Sequence, residues 1–238
     1  MGEELLTDRP EDGVLRLRLN RPDRLNAVDM PLVTALLEGF DEPEARAVVL
    51  GSTSPEAFCA GADLDIEDAE RALVSDRLYE LYEKMVTLPI PIVVAIEGHA
   101  VGAGVQLAIA GDLRVAGLGA RLRVAGPGHG LAVAAWGLPS LVGRGRAMDL
   151  CLTMRPVGAE EALEIGLVDR VEPEPATAAV ALAARLAGLD VAAVGRVKRL
   201  VSREDALLQR LREERSGNHS AWGGSIAGLS PRRGKEGG

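Results

Sequence analysis

Twice in this chain a short, mostly apolar run gives way to a run of small residues. "RAVVLGS" (46–52) is followed by "AFCAGADL" (57–64), and "PIVVAIEG" (91–98) by "HAVGAGVQLA" (99–108). Short apolar runs bounded by turn residues read as buried strands. Small residues at a strand end let backbone or ligand approach closely. The N–H groups of such turns, and of a helix that starts there, attract negative oxygen. Two such turns on neighbouring strands can each offer one N–H to a single oxygen, which is the geometry of an oxyanion hole. The plainer reading is tight turns and close helix–strand packing, and the repetition of the pattern counts against it. A nucleotide-phosphate loop is disfavoured: no GxxxxGK[ST] occurs, and "GAGVQL" has Leu107 where a dinucleotide turn needs its third glycine.

The surrounding chain supplies a matching frame. "GVLRLRLNRP" alternates, with Leu15, Leu17 and Leu19 on one face and Arg16 and Arg18 on the other, which predicts a half-buried strand. "DMPLVTALLEGF" predicts a helix with Asp29 as N-cap and Pro31 in its first turn. "VSDRLYELYEKMVTLP" predicts an amphipathic helix ending before Pro89, and "DLRVAG" a third core strand. Strand–helix alternation of this kind makes parallel βαβ units. After about Gly143 the pattern turns helical: "RGRAMDLCLTM", "GAEEALEIGLV", "PATAAVALAARLAGL", "AVGRVKRLVS" and "EDALLQRLREERS", with "GLVDRV" as one short strand. The expected organisation is an α/β core over 1–190, a helical region over 191–228 that packs on the core or on a neighbouring subunit, and a mobile tail over 229–238.

Composition narrows the function classes. With 47% apolar and 26% charged residues the chain is a soluble globular protein, and with only 3% aromatics its core must rest on Val, Leu, Ile and Ala. A net charge of -8 argues against nucleic-acid binding. Cys59 and Cys151 cannot make a disulfide framework, which suits a reducing, cytoplasmic setting, and no apolar run reaches membrane-spanning length. No metal-ligand cluster or redox-cofactor motif is visible.

At "LRLNRPDRLNAVDM", "AFCAGADL", "PIVVAIEGHAVGAGVQLA", "LPSLVGRGRAMDLCLT" and "GAEEALEIGLVDRV", in that order, the chain resembles the crotonase superfamily, the enoyl-CoA hydratase/isomerase family. The resemblance implies an α/β fold with a crotonase-like (ββα)n spiral core and a helical C-terminal trimerisation region. It also implies homotrimers or hexamers, and acyl-CoA thioesters as ligands, with coenzyme A arriving as part of the substrate and no separate cofactor. The family's oxyanion donors fall on the N–H groups of Ala62 and Ala103, where many relatives have glycine at the second position. Coenzyme A would lie along "DRLNA", at Arg24, Leu25 and Ala27, with Ala60, Asp63 and Leu64 opposite. Arg24 would meet a phosphate, or is simply a solvated surface arginine.

The acid/base positions are where this chain departs from the family. Hydratases of the family place two glutamates at the β-carbon, and here those places fall on Gln106 and, in "RVAGPGHGLA", on Gly126. A carboxamide does not titrate near neutral pH, and one positioned acid or base is worth roughly 10²–10⁴ in rate. Hydration is therefore expected to be weak or absent. Gln106 can still orient a water or a carbonyl, or merely line the pocket. His129 is a possible substitute base, with a structural or surface role as the plainer reading. Asp65, Glu67 and Asp68 are remoter candidates that read equally as a solvated acidic loop. His99 sits where the family varies, and Cys59 has nothing basic beside it.

"GAGVQLA", "DLRV", "GLA", Trp136, "LVGRGRA" and the Trp222 of "AWGGS" resemble a set of actinobacterial members that lack the glutamates and bind long-chain acyl-CoA without hydrating it. On that reading Trp136 lines the acyl site, unless it is core packing. The chain would then sequester acyl-CoA or hand it to an acyl-processing enzyme. Two alternatives stay open: an active enzyme with other chemistry (isomerase, decarboxylase or thioesterase), and a purely structural subunit.

Overall fold

The computed structural model describes residues 4–63, 65–204 and 206–222. A hairpin opens the chain, β1 (Leu5–Glu11) antiparallel to β2 (Val14–Leu19). There follow α1 (Met30–Gly39), β3 (Ala47–Ser52), β4 (Ala57–Cys59), α2 (Asp68–Thr87), β5 (Ile92–Ile96), β6 (His99–Val101), α3 (Ala103–Ala110), β7 (Leu113–Ala116) and β8 (Arg121–Arg123). Then come α4 (Leu138–Thr153), β9 (Val157–Gly158), α5 (Ala159–Glu164), β10 (Arg170–Val171), α6 (Pro175–Ala187), α7 (Val191–Glu204) and α8 (Leu207–Trp222).

Three successive units repeat one plan: a strand in a large sheet, a short strand in a small sheet, then a helix. They are β3–β4–α2, β5–β6–α3 and β7–β8–α4. The large sheet has the order β1-β2-β3-β5-β7-β10 and is parallel except at β1; the small sheet has the order β4-β6-β8-β9. This is the expected ββα spiral.

β5 is apolar throughout, and β3 from Ala47 to Leu50, because both faces of the large sheet are covered. On one face Leu15, Leu17, Leu19, Leu50, Val94 and Ile96 join the main core under α1, α2 and α3. On the other, Val14, Val49, Val93 and Val115 pack on Ala179, Leu182 and Ala183 of α6, whose small side chains allow a close seat. Asp29 caps α1 as expected, its Oδ1 accepting the Leu32 N–H at 3.0 Å.

Four features were not legible in the pattern. β1 carries Asp8, Pro10 and Glu11, a composition tolerated because it is an edge strand. The small-sheet strands are two or three residues long and show no period. α2 starts at Asp68, inside the acidic stretch. α4 starts at Leu138 and is interrupted at Gly143, whose φ of 75° is non-helical.

The C-terminal helices fold onto their own chain. Lys198 of α7 reaches the end of the sheet, donating to Asp112 Oδ2 at 2.7 Å and to the Ile90 carbonyl at 2.8 Å. α8 packs along α2. The tail over 229–238 and Leu64 lie outside the described residues, as does the Trp222 side chain.

One close contact positions the site. A Cβ on Gly104 of α3 would stand 2.2 Å from the Cys59 carbonyl oxygen of β4. Gly104→Ala is therefore expected to destabilise the protein by about 3 kcal/mol in urea unfolding. Gly145→Ala, in open space on α4, should instead raise stability by about 0.5–1 kcal/mol through helix propensity.

Candidate functional site

β4 and β6 run side by side in parallel, so the two glycine turns leave the same edge together. Gly61 has φ +112° and Gly102 φ +54°, conformations that favour glycine. A Cβ on Gly61 would lie 3.2 Å from the Val101 carbonyl and 3.9 Å from the Ala103 nitrogen, which shows how closely the turns abut. Ala62 forms a parallel bridge to Val28 through its neighbours: Val28 N–H donates to Gly61 O, and Asp63 N–H to Val28 O, both at 2.8 Å. The N–H of Ala62 itself therefore points away from Val28. Ala103 is the first residue of α3, so its N–H has no acceptor within the helix. Two backbone donors from adjoining turns thus stand at one joint.

The turn at 24–27 is stitched to this edge. Leu25 and Asn26 have φ of 49° and 54°. The side chain of Asn26 is fully buried, donating to Ser52 Oγ at 2.7 Å and the Ala57 carbonyl at 2.9 Å, while its Oδ1 accepts the Arg21 N–H at 2.8 Å. Ala60 N–H donates to Leu25 O at 2.9 Å. Arg24 is half-exposed and pairs with Asp63 at 2.9 Å and Asp65 at 2.7 Å. Burial works against ionisation of Asp63, but the Asp65 N–H and Arg24 hold its carboxyl below the ordinary value. Leu25 is exposed, and Ala27 and Ala60 are half-buried beside it. The candidate residues Arg24, Leu25, Ala27, Ala60, Ala62, Asp63 and Ala103 thus cluster around one edge.

Gln106 lies one helical turn beyond Ala103 and is buried. Its Oε1 accepts the Trp136 indole N–H at 2.9 Å and the Ala134 backbone N–H at 3.1 Å. Trp136 is buried and stacked on Tyr82, with ring centroids 6.2 Å apart. At Gly126 a Cβ would stand 2.6 Å from the Leu131 carbonyl and 2.7 Å from the Val133 side chain, so residues 131–133 fill the space of any side chain there. His129 ends a short 3-10 turn and is half-buried, with its N–H on the Gly126 carbonyl at 2.8 Å. Glu67 is exposed, Asp65 is engaged by Arg24, and the Asp68 side chain lies outside the described residues. Cys59 is fully buried, and burial pushes its thiol up to about 12.

Two further residues, not singled out in the sequence, join the network around Gln106 and Trp136. Glu214 of α8 is buried; one carboxylate oxygen accepts the Tyr79 hydroxyl at 2.8 Å and the other the Trp136 N–H at 2.9 Å. Asn218 accepts the Ala132 N–H at 3.0 Å and donates to the Ala132 carbonyl at 2.6 Å and to Tyr79 Oη at 2.7 Å. The available signal was positional: Leu207, Leu211, Glu214 and Asn218 share one helical face, so two polar residues continue an apolar stripe. Among the described residues, no group of three or more His, Cys, Asp or Glu is placed to hold a metal. No single described helix is long and apolar enough to cross a membrane.

The family model for enoyl-CoA hydratase/isomerase matches residues 9–224. The chain belongs to the enoyl-CoA hydratase/isomerase family. It is 38% identical over 218 residues to the probable enoyl-CoA hydratase echA6 of Mycobacterium tuberculosis, covering 89% of this chain and 88% of that protein. The crystal structure of an enoyl-CoA hydratase/isomerase from Mycobacterium paratuberculosis superposes with a TM-score of 0.84 at 29% identity, covering 95% and 96% of the two chains. A monofunctional enoyl CoA isomerase from M. smegmatis superposes with a TM-score of 0.75 at 28% identity, covering 89% and 99%. Membership fits the ββα spiral, and the mycobacterial relatives agree with the resemblance to actinobacterial members.

Burial raises the Glu214 carboxyl from its ordinary 4.5 to about 7. The folded protein therefore holds a proton that the unfolded chain has released between those values. The resulting stabilisation is complete below about 4.5 and is lost as pH rises through about 7. Urea titrations from pH 5 to 8 should show a fall on the order of 3 kcal/mol, and Glu214→Gln should flatten it.

Proposed function

We propose that this family member binds acyl-CoA thioesters and is weak or silent as a hydratase. The adjoining Ala62 and Ala103 N–H groups would receive the thioester oxygen as an oxyanion hole. The carrying observation is that neither expected acid/base place holds a carboxylate: one is the carboxamide of Gln106, the other is Gly126. Gln106 spends its carbonyl oxygen on Ala134 and Trp136, and the space over Gly126 is filled by Leu131 and Val133. Neither position presents a group that can take a proton from water. Coenzyme A would pass along Arg24, Leu25 and Ala27, with Ala60, Asp63 and Leu64 opposite, and its phosphates would compete with Asp63 and Asp65 for Arg24. Trp136, packed in the core, would support the acyl site rather than touch the ligand, and His129 would remain a candidate substitute base. No cofactor beyond the substrate's own coenzyme A is invoked.

The same reading includes a cytoplasmic homotrimer or hexamer and transfer of the acyl-CoA to an acyl-processing enzyme. Exposed Met148 and Leu152 on α4, and Val197, Leu200 and Val201 on α7, offer apolar surface for assembly. A second reading, an isomerase, is favoured by the monofunctional isomerase among the structural neighbours. An enolate held by the same two N–H groups would serve it, given a base.

Calorimetry with a series of acyl-CoAs, paired with a crotonyl-CoA hydration assay, tests the proposal. Saturable binding is expected, with a hydration rate lower by roughly 10²–10⁴ for each absent carboxylate than in a family hydratase. The S-alkyl thioether of the same chain length, which lacks the carbonyl oxygen, should bind about tenfold more weakly. Equal affinity for the two would remove the oxyanion hole from the reading, and rapid hydration would overturn the silent-hydratase reading.

A further inference from the structure

We propose that residues 131–135 form a strap that closes the acyl site, pinned from outside by Asn218 and Glu214 of α8, so that a bound acyl group and the seated strap exclude each other. This inference rests on the acyl-CoA reading and adds a mode of control to it.

The strap's seat adjoins the two donors. Arg123 O accepts the Gly102 N–H at 3.0 Å, immediately before Ala103, and Gly126 follows three residues later. Gln106 stands one turn beyond Ala103 on α3. The strap lies between these two supports, with Leu131 and Val133 over Gly126 and Ala134 on Gln106. On this proposal, an acyl group whose carbonyl oxygen rests on Ala62 and Ala103 runs into the space beside Gln106 and Gly126 that these residues occupy.

The way the strap is held suits release. It belongs to neither sheet nor helix. Leu131 N–H donates to the Gly126 carbonyl at 3.1 Å, but the amides beyond it are held by side chains: Ala132 by Asn218, Ala134 by Gln106, and Trp136 at the strap's root by Glu214. Ala134 has a φ of 61°, in the left-handed region that alanine avoids, a strain that persists only while neighbours impose it. Gly130, at the other end, has a φ of 72° and open space around it, which allows a hinge. Lifting the strap breaks its bonds to α8, so acyl binding should loosen the C-terminal helix.

Hydrogen–deuterium exchange on the full-length protein tests this, with dodecanoyl-CoA at a saturation confirmed by calorimetry and free CoA as the control. Ligand binding ordinarily slows exchange. Here the amides of 131–135, and those of α8 around Asn218, should exchange about fivefold faster with dodecanoyl-CoA and not with CoA. Asn218→Ala, which releases the strap from outside, and Gly126→Ala, which pries it from beneath, should each tighten dodecanoyl-CoA binding about tenfold by removing the cost of opening. Neither should change CoA affinity. Saturation with unchanged or slower exchange at 131–135 overturns the strap and leaves acyl-CoA binding standing. Unchanged acyl affinity in both folded variants does the same. Should a variant fail to fold, the wild-type exchange experiment alone decides. No binding of dodecanoyl-CoA to wild type or variants overturns the acyl-CoA reading and the strap together.

Discussion

α3 sits on β4 with no side chain between them. Gly104 meets the Cys59 carbonyl at a distance no Cβ can occupy, and much of the site depends on that seat. It places the first N–H of α3 beside the turn that leaves β4, because β4 and β6 are already parallel neighbours. It also sets the direction of Gln106, one turn along the helix. A methyl group at Gly104 would lift α3, separate the turns and pull Gln106 from the Trp136 indole. Helix, turns and polar core are coupled through one backbone contact.

The second constraint is a buried polar network. In a chain with only two tyrosines and two tryptophans, both tyrosines and Trp136 gather around Gln106, Glu214 and Asn218. Gln106, Glu214, Asn218, Tyr79 and the Trp136 indole each have a hydrogen-bond partner within it, as buried polar groups need where water cannot substitute. The network joins α2, α3, the 131–136 segment and α8, so a change at any member is felt at the others. An uncharged side chain at 106 fits this arrangement: it accepts two hydrogen bonds without placing a second buried negative charge near Glu214.

Much of the fold was legible in the sequence. The apolar runs of β3 and β5 announced buried strands, the alternation in β2 announced its half-buried neighbour, and Asp29 with Pro31 marked the start of α1. The small sheet was not legible, because strands of two or three residues carry no period and are defined only by their partners. Nor was the start of α2 within an acidic stretch, since its first turn gains its helical state from the turns that follow. At the site, the glycine turns and the unusual identity of Gln106 could be read directly. The engagement of Arg24 by Asp63 and Asp65, and the filling of the Gly126 space by Val133, could not.

By itself the sequence determined the strand–helix order, the placement of small residues at two strand ends, and the absence of a carboxylate at 106 and 126. These are local properties, set by side-chain size, period and charge. Only the tertiary structure decided that Glu214, some hundred residues from Gln106 along the chain, shares its hydrogen-bond network, and that α8 returns to its own chain to hold residues 131–136. Such contacts come from burying polar groups that must find partners in a core sealed from water, and no window of sequence contains both partners.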